Sequence, residues 1–184
     1  MKKTVILMIL ALGFILPVQA QKYMTRNGHI FFKSNAEIDD GVEANNESVA
    51  CVLDASNGNV AFQVLITAFQ FEKALMQEHF NENYLESEKY PKSTFAGKID
   101  NWGDVDMSTP GTYDVTVSGK LTIHGVTNSV SQPGKLIVKE DGTVAMTTHM
   151  LVPLADYDIE IPSVVADKIA KEIDVDIDVT LNKV

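Results

Sequence analysis

Cysteine is nearly absent from this chain, since Cys51 is the only one among 184 residues. An internal disulfide framework is therefore excluded, even in an oxidising compartment that would permit one. The neighbours Ala50 and Val52 are apolar, and no adjacent basic residue would lower the pKa of the thiol. We therefore expect Cys51 to be a small buried hydrophobic residue rather than a redox group.

Basic residues are scarce as well. The chain has 15 lysines and arginines against 25 aspartates and glutamates, which gives a net charge of −10 at pH 7. Nucleic acids and anionic membrane surfaces favour proteins with clusters of lysine and arginine. We therefore expect neither class as a partner, although the charge alone does not identify a ligand.

Long apolar runs are limited to residues 5–16, which follow two lysines and end at Pro17. This pattern predicts a signal peptide over residues 1–20, with cleavage before Gln21. The run is shorter than the roughly 18 or more residues that span a bilayer, so we expect no stable membrane insertion. The predicted mature domain is 21–184, and the predicted location is the periplasm, with secretion as the alternative.

Catalytic and metal-binding signatures are missing. The chain has no Gly-x-Ser-x-Gly elbow and no phosphate-binding glycine loop. His79 has Asn83 where a zinc helix needs a second histidine, and His124 beside Gly125 is typical of a turn. The acids of 174–178 lack the glycine and the final glutamate of a calcium loop. We therefore predict no catalytic residue, no metal site and no cofactor.

What the sequence has is alternation of period two. At the C-terminus, the aliphatic residues of 173–181 alternate with Asp174, Asp176, Asp178 and Thr180. Successive side chains of a strand point to opposite faces, so one face of this strand is aliphatic and the other is acidic. Three carboxylates cannot be buried without partners. One face of the sheet must therefore meet water.

Similar runs recur along the chain at the spacing of hairpins, and they predict an all-β antiparallel barrel of roughly eight strands. A helix at about 72–86 and a short helical turn at about 163–169 interrupt the pattern. Asn57-Gly58, Pro133-Gly134 and Asp141-Gly142 mark turns between runs. The predicted strands are 29–33, 49–53, 60–66, 93–99, 112–123, 135–139, 144–152 and 173–181.

Three segments carry a resemblance to a known family. A helix-like stretch within 74–95 passes through Tyr90-Pro91 directly into a strand, and the segments Leu-Thr-Ile-His-Gly-Val-Thr (121–127) and Asp-Tyr-Asp-Ile-Glu-Ile-Pro (156–162) follow in order. The chain resembles the YceI-like family over essentially its whole mature length. The resemblance implies a lipocalin-like barrel that encloses the tail of a polyisoprenoid or a similar amphiphile.

The chain departs from the family at one place. Many members have a histidine on the first strand in a Phe-x-x-x-His context, whereas the equivalent stretch here, residues 31–35, reads Phe-Phe-Lys-Ser-Asn. We therefore carry no ligand-contacting residue over from the family.

The apolar alternation does identify side chains expected to face the barrel interior. Periodicity alone does not separate a filled core from a cavity, and the family resemblance favours the cavity. The predicted ligand-binding residues are Phe62, Val64, Ile66, Tyr113, Val115, Val117, Met146, Met150, Ile173, Val175, Ile177 and Val179.

The favoured interpretation is an exported, non-enzymatic protein that holds an isoprenoid or fatty acyl tail without covalent chemistry. The expected partner is thus a hydrophobic or amphiphilic small molecule, and the resemblance leaves a homodimer open. One alternative is a filled barrel that acts through its surface as a stress-related or assembly partner. A less favoured alternative is a hydrolase or peroxide-handling enzyme that uses His124 with Asp156 or Asp158.

Overall fold

Eight antiparallel strands form a closed barrel in which each strand pairs with the next and the last pairs with the first. The computed structural model describes residues 21–36, 42–166 and 168–184, so the predicted signal peptide lies outside it. The predicted all-β barrel is confirmed. The strands are β1 (Lys22–Lys33), β2 (Glu43–Asp54), β3 (Asn59–Leu65), β4 (Lys92–Ile99), β5 (Gly111–Ile123), β6 (Val126–Val138), β7 (Val144–Pro153) and β8 (Glu172–Lys183).

The C-terminal alternation appears in β8 as expected. Its register with β7 pairs Met146 with Val179 and Met150 with Val175, so aliphatic side chains from both strands lie on the inner face. Val179 is fully buried, whereas Asp176 and Asp178 are exposed. The acidic face therefore meets water, as its charge requires.

The prediction of a turn at Pro133-Gly134 is wrong, because both residues lie within β6. Pro133 is paired with Thr116 of β5, and the ladder between β6 and β7 begins only at Gly134, opposite Thr148. Proline has no N–H to extend that ladder. Instead, the Oγ1 of Thr148 donates a hydrogen bond to the carbonyl of Pro133 at 2.7 Å. The strand thus starts at Val126, earlier than the sequence suggested.

The predicted helix is present but shorter. Helix α1 (Ala74–His79) continues as one π-helical segment, Phe80–Tyr84, and Glu86 then ends the helical path with a positive φ of 42°. The predicted turn at 163–169 contains a 3₁₀ segment, Ser163–Val165. Within the described residues, no helix is long and apolar enough to cross a membrane.

The two ends of the barrel differ in their packing. At one end, here called the closed end, β2 and β4 finish and β7 begins, and the side chains of Leu53, Ile99, Leu136, Val144 and Leu181 have no exposed surface. The other end, here called the open end, is where β3 finishes and β4 begins, and α1 lies beside it. These fully buried side chains form a solid core at the closed end.

This difference predicts where truncation of a leucine is most damaging. We expect Leu53→Ala to lower the free energy of unfolding by about 2–5 kcal/mol, because it leaves a cavity in a fully packed layer. Leu151, which is 48% exposed on β7, is the matched control, and Leu151→Ala should change stability by less than about 0.5 kcal/mol. Urea unfolding of both variants measures the difference. Equal losses would contradict a solid closed end.

Candidate ligand cavity

The open half of the barrel contains a cavity of about 360 Å³. Pockets that bind small molecules usually measure about 300–1,000 Å³ and are mostly apolar. The cavity is lined mainly by aliphatic and aromatic side chains from the barrel strands, together with Met76, Phe80 and Leu85 from the helical segment and the residue after it. Periodicity alone did not show whether the barrel interior is filled or hollow. The structure shows that it is filled at one end and contains a cavity at the other.

Ten of the twelve interior residues predicted from the sequence line this cavity. Tyr113 and Val179 do not, because they belong to the closed end. Val179 is fully buried there, and the hydroxyl of Tyr113 lies 3.0 Å from the carbonyl oxygens of both Asp106 and Thr109. The lining residues are Phe62, Val64, Ile66, Val115, Val117, Met146, Met150, Ile173, Val175 and Ile177. Their role in binding a ligand stays a prediction.

Small inward-facing residues are concentrated on one wall of the barrel. Along β4, β5 and β6 the inner face carries Ser93, Gly97, Gly119 and Gly134, as the unbroken register of these strands shows. Glycine contributes no side chain to the interior, and serine contributes little. Ser93 and Gly134 line the cavity, whereas Gly97 and Gly119 do not.

A cluster of four phenylalanines attaches the helical segment to the barrel. Phe80 stacks on Phe32 of β1 with ring centroids 5.5 Å apart, and it lies 5.4 Å from Phe69 and 5.0 Å from Phe71. Such pairs stabilise by about 0.5–1.5 kcal/mol beyond the area they bury. Phe32, Phe69 and Phe80 also line the cavity, although the strand pattern alone did not identify them.

The few polar groups at the cavity do not form a catalytic arrangement. Ser34 is fully buried, and its Oγ accepts a hydrogen bond from the N–H of Ala170 at 2.7 Å. Burial raises the pKa of Tyr84. The side chains of His79 and Tyr84 form no hydrogen bond within the described part of the chain, and the cluster of phenylalanine rings attaches their segment to the barrel.

His124 joins three segments at the open end. Its Nε2 lies 3.0 Å from a carboxylate oxygen of Glu86, and its Nδ1 lies 3.1 Å from the carbonyl oxygen of Tyr157. The ring of Tyr90 packs edge-on against the imidazole, with centroids 4.8 Å apart. We call Glu86, His124 and Tyr157 the His124 junction. It connects the chain after α1, the β5–β6 turn and the 3₁₀ segment Leu154–Tyr157.

Backbone strain is concentrated at this junction. Among the described residues, those other than glycine with positive φ are Glu86 (42°), His124 (50°) and Asp158 (53°). Two of them belong to the junction, and the third follows Tyr157. Such angles each cost about 1–3 kcal/mol and persist where the surrounding contacts hold them. The three segments that carry the family resemblance therefore meet at one strained site.

The contacts of the junction also disfavour the catalytic alternative considered from the sequence. That alternative pairs His124 with Asp156 or Asp158, but both ring nitrogens of His124 face Glu86 and the carbonyl of Tyr157. His124 does not line the cavity. The hydrogen bond with His124 and, to a smaller extent, the charge of Lys89 lower the pKa of Glu86. This lowering results from the contacts that Glu86 makes at the junction.

The remaining candidate groups fit structural roles. Cys51 is fully buried, and burial raises the pKa of its thiol to about 12, so it is a hydrophobic core residue as expected. The imidazole of His149 lies between the carboxylates of Asp174 and Asp176 on the outer face, at 3.4 and 2.8 Å. In the described residues, no group of three or more histidine, cysteine or acidic side chains is placed to hold a metal ion.

An antiparallel barrel of eight strands with one hollow apolar end defines the class: this is an all-β, lipocalin-like barrel. The chain belongs to the YceI-like domain family, since the family model matches residues 24–181. The resemblance seen in the sequence is thereby confirmed. No curated protein matches the chain in sequence.

Solved structures share the fold at low sequence identity. A polyisoprenoid-binding domain from Saccharophagus degradans, implicated in plant cell wall breakdown, superposes with a TM-score of 0.76 at 14% identity, over 89% of this chain and 98% of that one. BcnA of Burkholderia cenocepacia gives 0.68 at 13% identity, over 84% and 96%. The YceI protein of Campylobacter jejuni gives 0.59 at 18% identity, over 78% and 85%. At these identities the likeness concerns the fold.

The Glu86–His124 contact predicts a pH dependence of stability. Because the pKa of Glu86 is lowered in the folded protein, its carboxylate stabilises the fold at neutral pH. That contribution is lost as the pH falls below the ordinary range of glutamate. We expect Glu86→Gln to lower the free energy of unfolding at neutral pH. Between neutral pH and the acidic range in which glutamate is protonated, the stability of this variant should fall less than that of the wild type, as measured by urea unfolding in both ranges. Glu88→Gln, an exposed neighbour outside the junction, is the control, and an equally reduced fall in that variant would refute the assignment.

Proposed function

We propose that this protein binds the apolar tail of an amphiphile, an isoprenoid or fatty acyl chain, inside the open half of the barrel and without covalent chemistry. The apolar cavity of about 360 Å³ is the observation that carries this proposal. A filled barrel that acts only through its surface has no use for such a space. That alternative therefore has less support than it had from the sequence.

The chemistry of the lining supports an apolar tail in particular. The wall combines aliphatic side chains with the thioethers of Met146 and Met150, which adapt to ligands of varied shape. Each buried CH₂ contributes about 0.8 kcal/mol, so a ten-carbon tail would gain about 8 kcal/mol before the costs of ordering. This gain is large enough for useful affinity without any polar anchor.

The likeness to other proteins supports the same class of ligand. The solved domain from Saccharophagus degradans is described as polyisoprenoid-binding, and it shares the fold over nearly its whole length. The present chain belongs to the YceI-like domain family. A catalytic function has no comparable support, because the contacts of His124 hold a turn rather than face the cavity.

Tail binding can be tested by native mass spectrometry of freshly purified protein and by uptake of a fluorescent fatty acid after delipidation. We expect a co-purifying lipid or saturable uptake. Val117→Trp should abolish uptake, because the indole would occupy the cavity that Val117 lines. Val52→Trp, which changes a residue that is 37% exposed, should bind like the wild type. Absence of both co-purified lipid and uptake in the wild type would refute the proposal.

We further propose that the protein acts after export, in the periplasm or outside the cell, because residues 1–20 have the pattern of a cleaved signal. Cell fractionation should find the protein outside the cytoplasm with Gln21 as its first residue. Leu10→Arg, which places a charge in the apolar run, should block cleavage, whereas Leu10→Ile should not. An uncleaved wild-type protein in the cytoplasm would refute export.

A further inference from the structure

One aromatic ring fills a gap that two glycines leave in the barrel wall. Gly97 of β4 is paired with Gly119 of β5, and Phe95 lies two residues before Gly97 on the same inner face. A Cβ atom built on Gly97 would lie 2.8 Å from Cε1 of Phe95, and one built on Gly119 would lie 2.7 Å from its Cζ. The ring of Phe95 therefore covers both glycines.

The position of the ring along β4 places it at the inner limit of the cavity on that strand. β4 runs from the open end toward the closed end, and the next inward pair after the glycines is Ile99 with Val117. Ile99 is fully buried in the closed end. Phe95 lines the cavity, whereas neither glycine does. On β4 the ring is therefore the last side chain that lines the cavity, and we call it the floor along β4. On the neighbouring strand β5, Val117 and Val115 line the cavity further toward the closed end.

Neither glycine position has room for a side chain of its own. A Cβ on Gly119 would lie 2.5 Å from the carbonyl oxygen of Ala96 and 2.6 Å from the Cα of Gly97. Both atoms belong to the backbone, which cannot give way as a flexible side chain can. The close approach of β4 and β5 thus requires glycine, and it leaves the filling of the floor to Phe95.

We propose that Phe95 limits the depth of the cavity along β4 and thereby influences the length of the apolar tail that the protein prefers. This inference rests on the proposed function. With a smaller residue at this position, the space above Gly97 and Gly119 becomes part of the cavity, and the tail can extend toward Ile99. With a larger residue, the floor rises and the longest tails no longer fit.

The simpler alternative is that Phe95 has only a structural role in packing the barrel interior. Its ring lies 6.3 Å from that of Phe62, in an edge-to-face arrangement across the strand pair. Phe62 also lines the cavity, but its inward neighbours on β3 are Val60 and Val64 rather than glycines. Phe62→Ala is therefore the matched control, since it removes the same ring from the cavity wall without uncovering a glycine pair.

The test measures dissociation constants of decanoic, lauric, myristic, palmitic and stearic acid with delipidated wild type, Phe95→Ala, Phe95→Leu, Phe95→Trp and Phe62→Ala. We expect the best-bound acid to become longer in Phe95→Ala and shorter in Phe95→Trp. Each additional methylene that enters the enlarged cavity should raise affinity about fourfold. Phe95→Leu should show the same trend as Phe95→Ala to a smaller extent, and it keeps the test valid if the alanine variant does not fold.

The outcomes separate this inference from the proposed function. If the wild type binds the acids but the order of preference is the same in every folded Phe95 variant, Phe95 does not set the depth and the proposed function stands. The inference is equally overturned if Phe62→Ala shifts the preference as Phe95→Ala does. If the wild type binds none of the acids, the proposed function fails and this inference fails with it.

Discussion

The contacts of His124 are the constraint on which the open end of the barrel depends. Residues that surround a cavity lack part of the dense packing that fixes side chains in a solid core. Other contacts must therefore hold the segments at this end in place. Here one imidazole contacts Glu86 on one side and the carbonyl of Tyr157 on the other. Together with the phenylalanine cluster around Phe80, it holds the segments that surround the cavity. A smaller apolar cluster that includes Ile66, Leu85 and Tyr157 packs beside these contacts at the open end.

The barrel divides stability and binding between its two halves. Closed barrels of eight strands are just large enough for side chains to fill them or for one small ligand. In this protein the side chains of Leu53, Ile99 and Leu136 are fully buried in the core of one half. In the other half, Ser93 of β4 and Gly134 of β6 contribute little or no side chain to the wall of the cavity. The fully buried core of the closed end can therefore stabilise the fold while part of the interior stays unfilled.

Sequence reasoning succeeded where a local pattern had one structural meaning. The alternation of β8 identified its inner face, because three carboxylates at Asp174, Asp176 and Asp178 could not be buried. It failed where the outcome depended on distant residues. Pro133-Gly134 has the composition of a turn, and only its register against Thr116 shows that it lies within a strand. The floor formed by Phe95 was equally hidden, since it requires Gly119 on another strand to lie beneath the ring.

The unequal packing of the two ends has a dynamic consequence. Local opening in proteins costs least where few buried apolar contacts hold a segment, and it costs the full unfolding free energy in the densest core. Helix α1, which has no buried residue, can consequently fluctuate while the ladder around Leu53 and Leu181 stays intact. Amide protons should then exchange slowly around that ladder and quickly in α1, which lies beside the open end. Local opening at this end would widen access to the cavity without unfolding the rest of the barrel.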